Sequence, residues 1–448
     1  MRMKFPAKRL VLLLGALSSM SPAFSANLMQ VYHEALANDA QYQAARAVVE
    51  AGCEEVARVR AGFVTAVTGT ANTTGNRNSY DYDASAAAQR FDRRYNSNGW
   101  NLNLTQPLFR WQNIIQYGQA QLQVAQAEAN FAQASQDLIL RVSQAYFDVL
   151  YAEEALKAVR ANKQAISQQL ELAKKSFEVG TVTITDTHEA QSRFDLATAQ
   201  EIAAENDLEV KRFALRVIVG KDPGELAQLK TPVTLEPPRP ASMEKWVDAA
   251  EKDSFLVQAQ EAAEEIAQKE IDRNRAGHYP TVDVVANYSR TNSILSPTAP
   301  GRMEATPRNV GLQLTVPIFQ GGLVNSRTRE AVANRDAARA GLENARRTAT
   351  LGARQSYLGV VNGLAQVRAL EAALVSSTSA LESNKLGYEV GVRINIDVLN
   401  AENQLFTTRR DLAKARFDTL LAQLKLKAAV GSLAETDLER INPLFQPR

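Results

Sequence analysis

Between Trp111 and Val179 the apolar residues step by fours and threes: Leu138, Val142, Ala145, Val149, Ala152, Leu156 and Val159, then Ile166, Leu170, Ala173 and Phe177. A 3.5-residue period held this long marks a coiled-coil seam rather than a surface helix on a globule. The stretch has no proline and one glycine, Gly118. It predicts a single helix over 111–179, about 100 Å long at 1.5 Å per residue. Lys163 interrupts its seam. A second seam through Val360, Leu364, Val367, Leu374, Leu381 and Tyr388 predicts a second long helix over 320–390. Shorter helices are predicted over Asn27–Arg60, 186–219, Met243–Ala276 and 397–431. Placed end to end, the two short helices of each half roughly match the long one and predict an interrupted rod beside it.

Elsewhere the period is two. Trp100-Asn-Leu-Asn-Leu-Thr105 alternates strictly, with Trp100, Leu102 and Leu104 on one face and Asn101, Asn103 and Thr105 on the other. That is a strand with one apolar and one wet side. Strands are predicted over about 62–74, 98–107 (ended by Pro107), 281–289 and 309–317, separated by polar loops at 75–97 and 290–307.

The halves are copies of one programme. Tyr388-Glu-Val-Gly-Val-Arg-Ile-Asn-Ile-Asp397 and Phe177-Glu-Val-Gly-Thr-Val-Thr-Ile-Thr-Asp186 share the same step from glycine to aspartate. Gly180 and Gly391 sit where a helix stops in a left-handed residue, which glycine adopts without a Cβ clash. Asp186 and Asp397 sit where the next helix needs a side-chain oxygen as N-cap, and Asp186 with Glu189 has the spacing of a capping box. Leu102–Phe109 recurs at Leu312–Phe319, an offset of 210. The divisions are therefore a first repeat over 26–220, a proline-rich linker over 221–242, a second repeat over 243–433 and a tail over 434–448.

Composition changes little: 45% hydrophobic and 22% charged residues are ordinary. The N-terminus changes more. Arg2, Lys4, Lys8 and Arg9 precede the apolar run Leu10–Leu14, and Ala23-Phe24-Ser25 supplies small residues for cleavage before Ala26. Residues 1–25 are thus a secretory signal. Removing its four positive charges turns the formal net charge from +2 to −2, so the basic balance is no argument for nucleic acid. Cys53 is the single cysteine and lies too far along for lipidation at the cleavage point. No later stretch approaches about 18 consecutive apolar residues, so membrane contact is assigned to the strands.

Four strands with an apolar outer face cannot close a barrel, whose smallest bacterial examples have about eight. Open edges are not tolerated in lipid. Several subunits must therefore share one barrel, and three would supply twelve strands.

The chain resembles the TolC family of trimeric outer-membrane exit ducts. The resemblance runs from Asn27-Leu-Met-Gln-Val-Tyr32 to Val430-Gly-Ser-Leu433, and rests most on Leu314-Thr-Val-Pro-Ile-Phe-Gln-Gly-Gly322, Tyr388-x-x-Gly391-x-Arg393 and Ile396-Asp-Val-Leu399. It implies a mainly α fold with β: a tandem repeat of long coiled-coil helices and four transmembrane strands, closing as a trimeric 12-stranded β-barrel above an α-helical periplasmic tunnel. The linker and tail form an equatorial collar. The implied role is the outer-membrane channel of a tripartite export system, passing drugs or secreted proteins from an inner-membrane transporter and its periplasmic adaptor. The other reading is a non-conducting coiled-coil spacer of the envelope, for which alternating strands have no use.

The resemblance also assigns residues. Tyr388 and Arg393 would tie to Asp186, and Arg393 to Gln169, holding the tunnel end shut; read alone, Tyr388 and Arg393 are plain surface residues. Asp397 would project into that end as a ring of carboxylates. The family's second aspartate is replaced by Asn400, leaving one acidic ring. Val179-Gly180 and Val390-Gly391 are the hairpin tips where the adaptor would dock. Trp100, Phe109, Trp111 and Phe319 read as an aromatic girdle. No cofactor is implied. His33, His188 and His278 set up no metal spacing, and no phosphate loop, zinc-protease motif or nucleophile elbow is present. The chain is not read as an enzyme.

Overall fold

The computed structural model describes residues 25–82, 89–295 and 301–446. The signal peptide predicted over 1–25 lies outside the described residues except for Ser25. Each half opens on a helix broken in two, where sequence periodicity predicts one: α1 (Leu28–Asn38) with α2 (Ala40–Arg60), and α5 (Met243–Asp253) with α6 (Phe255–Arg275). The breaks fall at Asp39 (φ −66°, ψ 118°) and Ser254 (φ −61°, ψ 129°). Asp39 caps α2 by accepting from the Tyr42 N–H at 2.7 Å. It is held there by Arg141, whose Nη1 and Nη2 donate to its two carboxylate oxygens at 2.8 and 2.9 Å. A short polar side chain offers the backbone an alternative to the helical bond, and here a half-buried ion pair fixes that alternative.

The long helices are α3 (Trp111–Glu178) and α7 (Leu323–Glu389), each returning in a shorter partner, α4 (Ile184–Val219) and α8 (Asn395–Ala429). Along α3, α2 and α4 pack successively, while α5, α6 and α8 line α7. The expected interrupted rods are therefore present. Leu138, Val142, Ala145, Val149, Ala152, Leu156, Ile166, Leu170 and Ala173 of the first seam are buried, as are Val360, Val367 and Leu381 of the second. Phe177, close to the tip, is not. Lys163 is accommodated by an ion pair to Glu201 at 2.8 Å and by the Phe194 ring, 5.6 Å from its ammonium. One 18-residue window of α7 has mean hydropathy 1.3, yet only 11% of it is buried within the chain. Polar residues interspersed along it keep this window from showing as an unbroken apolar run in the sequence. Its uncovered face calls for a neighbour.

The strands form one antiparallel layer: β1 (Ala66–Tyr82), β2 (Gln89–Phe109), β4 (Thr281–Ile294), then β5 (Arg302–Ala305) and β6 (Arg308–Thr315), which divide the far edge of β4 between them. A two-residue β3 (Gln228–Leu229) lies elsewhere, in the linker. The hairpin departs most from the sequence reading. Where a polar loop over 75–97 is expected, β1 and β2 stay in register from Ala66↔Thr105 to Tyr82↔Gln89. Above the apolar segment both faces are polar, so no alternation announces a strand. Pairing rests on backbone bonds and cross-strand contacts such as Asn76 Nδ2 donating to Ser97 Oγ at 2.8 Å. Pro107 does not end β2 but marks a register shift before Phe109.

Register gathers Val67, Gly69 and Ala71 opposite Leu104, Leu102 and Trp100 on one face. Ala286 and Tyr288, then Val310, Leu312 and Leu314, continue that face across β4 and β6. No helix covers it: Val310, Leu312 and Leu314 are 64–78% exposed. The Trp100 and Tyr288 rings meet edge to face at 5.0 Å near its upper limit, and Phe109 and Trp111 lie 6.4 Å apart at its lower one. Trp100 and Phe109 are nine residues apart, about 30 Å along the strand and about 23 Å after a 40° tilt. That is the height of the apolar band of a membrane barrel.

At mid-height the linker folds against both ends of the described chain. Residues 225 to 230 lie between Ala26, whose N–H donates to Glu225 O at 2.7 Å, and β7 (Phe445–Gln446), which pairs with β3. Tyr146 of α3 donates to Ala227 O at 2.9 Å, and burial pushes its phenol far above the ordinary tyrosine range. Phe147 stacks there on Phe417 and Phe445 at 5.8 and 5.9 Å, and Tyr146 meets Phe445 edge to face at 5.5 Å. The short helix α9 (Glu435–Ile441) closes this belt.

Candidate functional site

The far ends of the two hairpins carry the candidate residues. Each long helix stops at a glycine with φ +77°, Gly180 and Gly391. The next N–H reaches back, Thr181 to Ser176 O and Val392 to Gly387 O, both at 2.8 Å. Carbonyls that would end unpaired are thereby satisfied. Both tips present apolar side chains to solvent, Val179 at 75% and Val390 at 65% exposure.

The caps differ from expectation. The N-cap of α4 is Thr183, and Asp186 is the third helical residue. Thr183 N–H and Oγ1 both donate to Asp186 Oδ2, at 3.0 and 2.8 Å. The capping box is thus Thr183 with Asp186, not Asp186 with Glu189. Asp397 takes the same third position in α8, but the cap there is Ile394, which has no oxygen to offer. The two aspartates therefore behave differently. Asp186 closes on its own turn, while Asp397 pairs with Arg393 Nη1 at 3.6 Å.

Within one protomer the four latch candidates are not joined. Among the described residues no hydrogen bond or ion pair links Tyr388, Arg393, Asp186 and Gln169 to one another. Tyr388 packs beside Leu381, Val398 and Leu405, and Gln169 Oε1 is buried without a donor. Asn400 accepts from Arg193 Nη2 at 3.3 Å, which links α8 to α4. Asn400 and Asp397 share a polar cleft between α7 and α8 with Asn384, Arg393 and Gln404.

Sequence reasoning missed the seam between the hairpins. Ile166 of α3 packs with Leu399 of α8, and polar residues flank both: Asn162 and Gln169 on α3, Asn395 and Glu402 on α8. Asn162 Oδ1, Gln169 Oε1, Asn395 Oδ1 and Glu402 Oε2 are all buried without a donor among the described residues. Glu402, 2% exposed, is held by Lys385 at 3.0 Å through its other oxygen. The signal was legible as polar residues standing four before and three after an apolar one on each helix. Such spacing puts them on the buried face. A seam with this many unpaired acceptors is weakly tied, since each buried polar group without a partner costs about 1–3 kcal/mol.

The chain matches the family described as outer membrane efflux protein over residues 31–221 and 246–432. It is 32% identical to outer membrane protein TolC of Vibrio cholerae, spanning 96% of this chain and 95% of that one. It is likewise 32% identical to alkaline protease secretion protein AprF of Pseudomonas aeruginosa, over 94% of this chain and 88% of the relative. The fold superposes on the Campylobacter jejuni CmeC outer membrane channel with a TM-score of 0.79 at 16% identity, covering 99% of this chain and 97% of that one. A tandem pair of helical hairpins, a one-layered sheet with a bare apolar face, and these relationships lead to one conclusion: the chain is an outer-membrane channel protein of the outer membrane efflux protein family.

Proposed function

We propose that three copies close one barrel and one helical tunnel, forming the exit duct of a tripartite export system. The carrying observation is the sheet. It has four strand positions, one uncovered apolar face, and edges on β1 and β6 that no described residue of the protomer pairs. In lipid such edges leave backbone groups without partners at several kcal/mol each. Edge-to-edge closure of three sheets removes them and gives twelve positions, within the range of bacterial barrels. The uncovered apolar window of α7 supports the same association lower down.

The tip residues act between protomers in this assembly. Arg393 and Tyr388 of one hairpin meet Asp186 and Gln169 to hold the tunnel end closed, and Asp397 contributes one carboxylate to a ring at the constriction. The exposed valines at the tips meet a periplasmic adaptor, which delivers small molecules or secreted polypeptides from an inner-membrane transporter. Relatives named as protease secretion proteins support the polypeptide branch.

The test is extraction from outer membranes, mass measurement in detergent and single-channel recording in planar bilayers. A conducting trimer is expected. A stable, conducting monomer would overturn the assembly, and a trimer without conductance would favour the envelope-spacer reading.

A further inference from the structure

Beyond the last residue paired with β4, Asn98, the β1–β2 ribbon rises alone. On it Arg77 stands directly opposite Arg94. Both are exposed, and neither has an acidic partner among the described residues. Their positions alternate in step with Val67, Gly69 and Ala71 on β1 and with Leu102 and Trp100 on β2, so they share the face that lower down is apolar. Like charges placed directly across a strand pair are unfavourable, and no ion pair among the described residues offsets this one. The neighbouring acid, Asp92, is two cross-strand pairs further up and accepts from Ser79 Oγ at 2.6 Å. Two other arginines of this face are already engaged, Arg290 with Glu304 at 2.7 Å and Arg308 over the Tyr288 ring at 4.9 Å, while Arg302 stands opposite Ile294 on the β4–β5 side.

Height narrows the choice of partner. Arg77 lies six residues beyond Ala71, the partner of Trp100. That is about 20 Å along the strand and about 15 Å above the aromatic girdle after tilt. A guanidinium on its long stem reaches back toward the membrane surface. The place is therefore above the hydrocarbon, outside the barrel, and within reach of lipid headgroups. Paired guanidiniums bind phosphate through parallel N–H···O bonds.

We propose that Arg77 and Arg94 form a binding site for the phosphorylated headgroup of a glycolipid in the surrounding outer leaflet. The inference rests on reading the chain as an outer-membrane barrel. Such a contact anchors the height of the barrel and keeps the free ribbon upright against the leaflet.

Native mass spectrometry of the trimer with added bis-phosphorylated lipid A tests it, beside the same lipid stripped of phosphate. Arg93→Gln, on the opposite face of the ribbon, is the control for the double variant Arg77→Gln/Arg94→Gln. Wild type and control should retain the phosphorylated lipid, the double variant should bind it at least about tenfold more weakly, and the dephosphorylated lipid should be retained by none. Equal retention by the double variant, or equal retention of the dephosphorylated lipid, overturns the site. Trimer mass and conductance are read on the same samples. Their absence in wild type overturns the duct itself, whereas their persistence with unchanged lipid binding overturns only the phosphate site.

Discussion

Arg110, the residue before α3, donates from Nε and Nη2 to the two carboxylate oxygens of Asp283 on β4, both at 2.8 Å. The bond ties the helix of the first repeat to the sheet of the second, where tunnel meets barrel. Its partners are unequally exposed, Asp283 at 10% and Arg110 at 38%. Removing the arginine strands a buried carboxylate and should cost about 3–5 kcal/mol, whereas removing the acid leaves a guanidinium that water can reach. Arg110→Ala should therefore lower the melting temperature of the assembled protein clearly more than Asp283→Ala. Equal losses would show that the exposure difference is immaterial.

Asp39 gives a pH dependence. Its bonds to Arg141, helped by the Tyr42 N–H and opposed by burial, hold its carboxyl below the usual range. Stability from a depressed carboxylate is fully present above its unfolded value, about 3.9, and is lost as pH falls through the folded one. Burial pushes Asp137 the other way, so its protonation offsets part of that loss. Thermal stability of wild type should drop on acidification below about pH 4. In Asp39→Asn, already weakened at neutral pH, the drop should be shallower. Parallel pH profiles would dismiss the pair as the cause.

The latch is tested at the tips. Charged hydrogen bonds contribute about 1.5–3 kcal/mol each. Arg393→Ser with Tyr388→Phe should raise single-channel conductance and admit large antibiotics. Asp397→Asn, which removes the 3.6 Å partner of Arg393 within its own hairpin, should not reproduce the full effect. Unchanged conductance in an intact double-variant trimer would make these residues plain surface.

The acidic ring makes a separate claim. Three copies of Asp397 around a narrow axis would attract a multivalent cation with a strength that falls as the separation grows. Block by a trivalent cation should be present in wild type and absent in Asp397→Asn. Asn400→Asp should tighten it, and more so with Arg193→Gln, because Arg193 reaches position 400 at 3.3 Å. Full block persisting in Asp397→Asn would assign the carboxylate to the helix terminus alone.

Long periods were legible in the sequence because the apolar residues of a seam keep to one side of their helix over many turns. Leu138 through Ala173 survive into the fold for that reason, and the alternation around Trp100 survives because one face of its strand is apolar and the other wet. Breaks were not legible, since Asp39 and Ser254 interrupt helices whose apolar pattern runs on unbroken. The upper ribbon, 75–82 and 89–97, escaped because its sequence is mostly polar in both registers, which erases alternation. At the tips, glycine spacing located the reversals, but the caps depended on one hydroxyl. Thr183 has it and Ile394 does not, which sends two matching aspartates to different partners.

The bare edges of β1 and β6 also set the order of events in the life of the chain. A lone protomer entering lipid would carry two rows of unpaired amides into a solvent that cannot hydrate them. Insertion therefore waits on encounter. At low abundance the rate of barrel appearance rises steeply with the amount of chain present, approaching its third power when three protomers must meet reversibly first. Until then each protomer persists as a water-borne intermediate, and its exposed valines and leucines make it a client for whatever shields apolar strands in the periplasm.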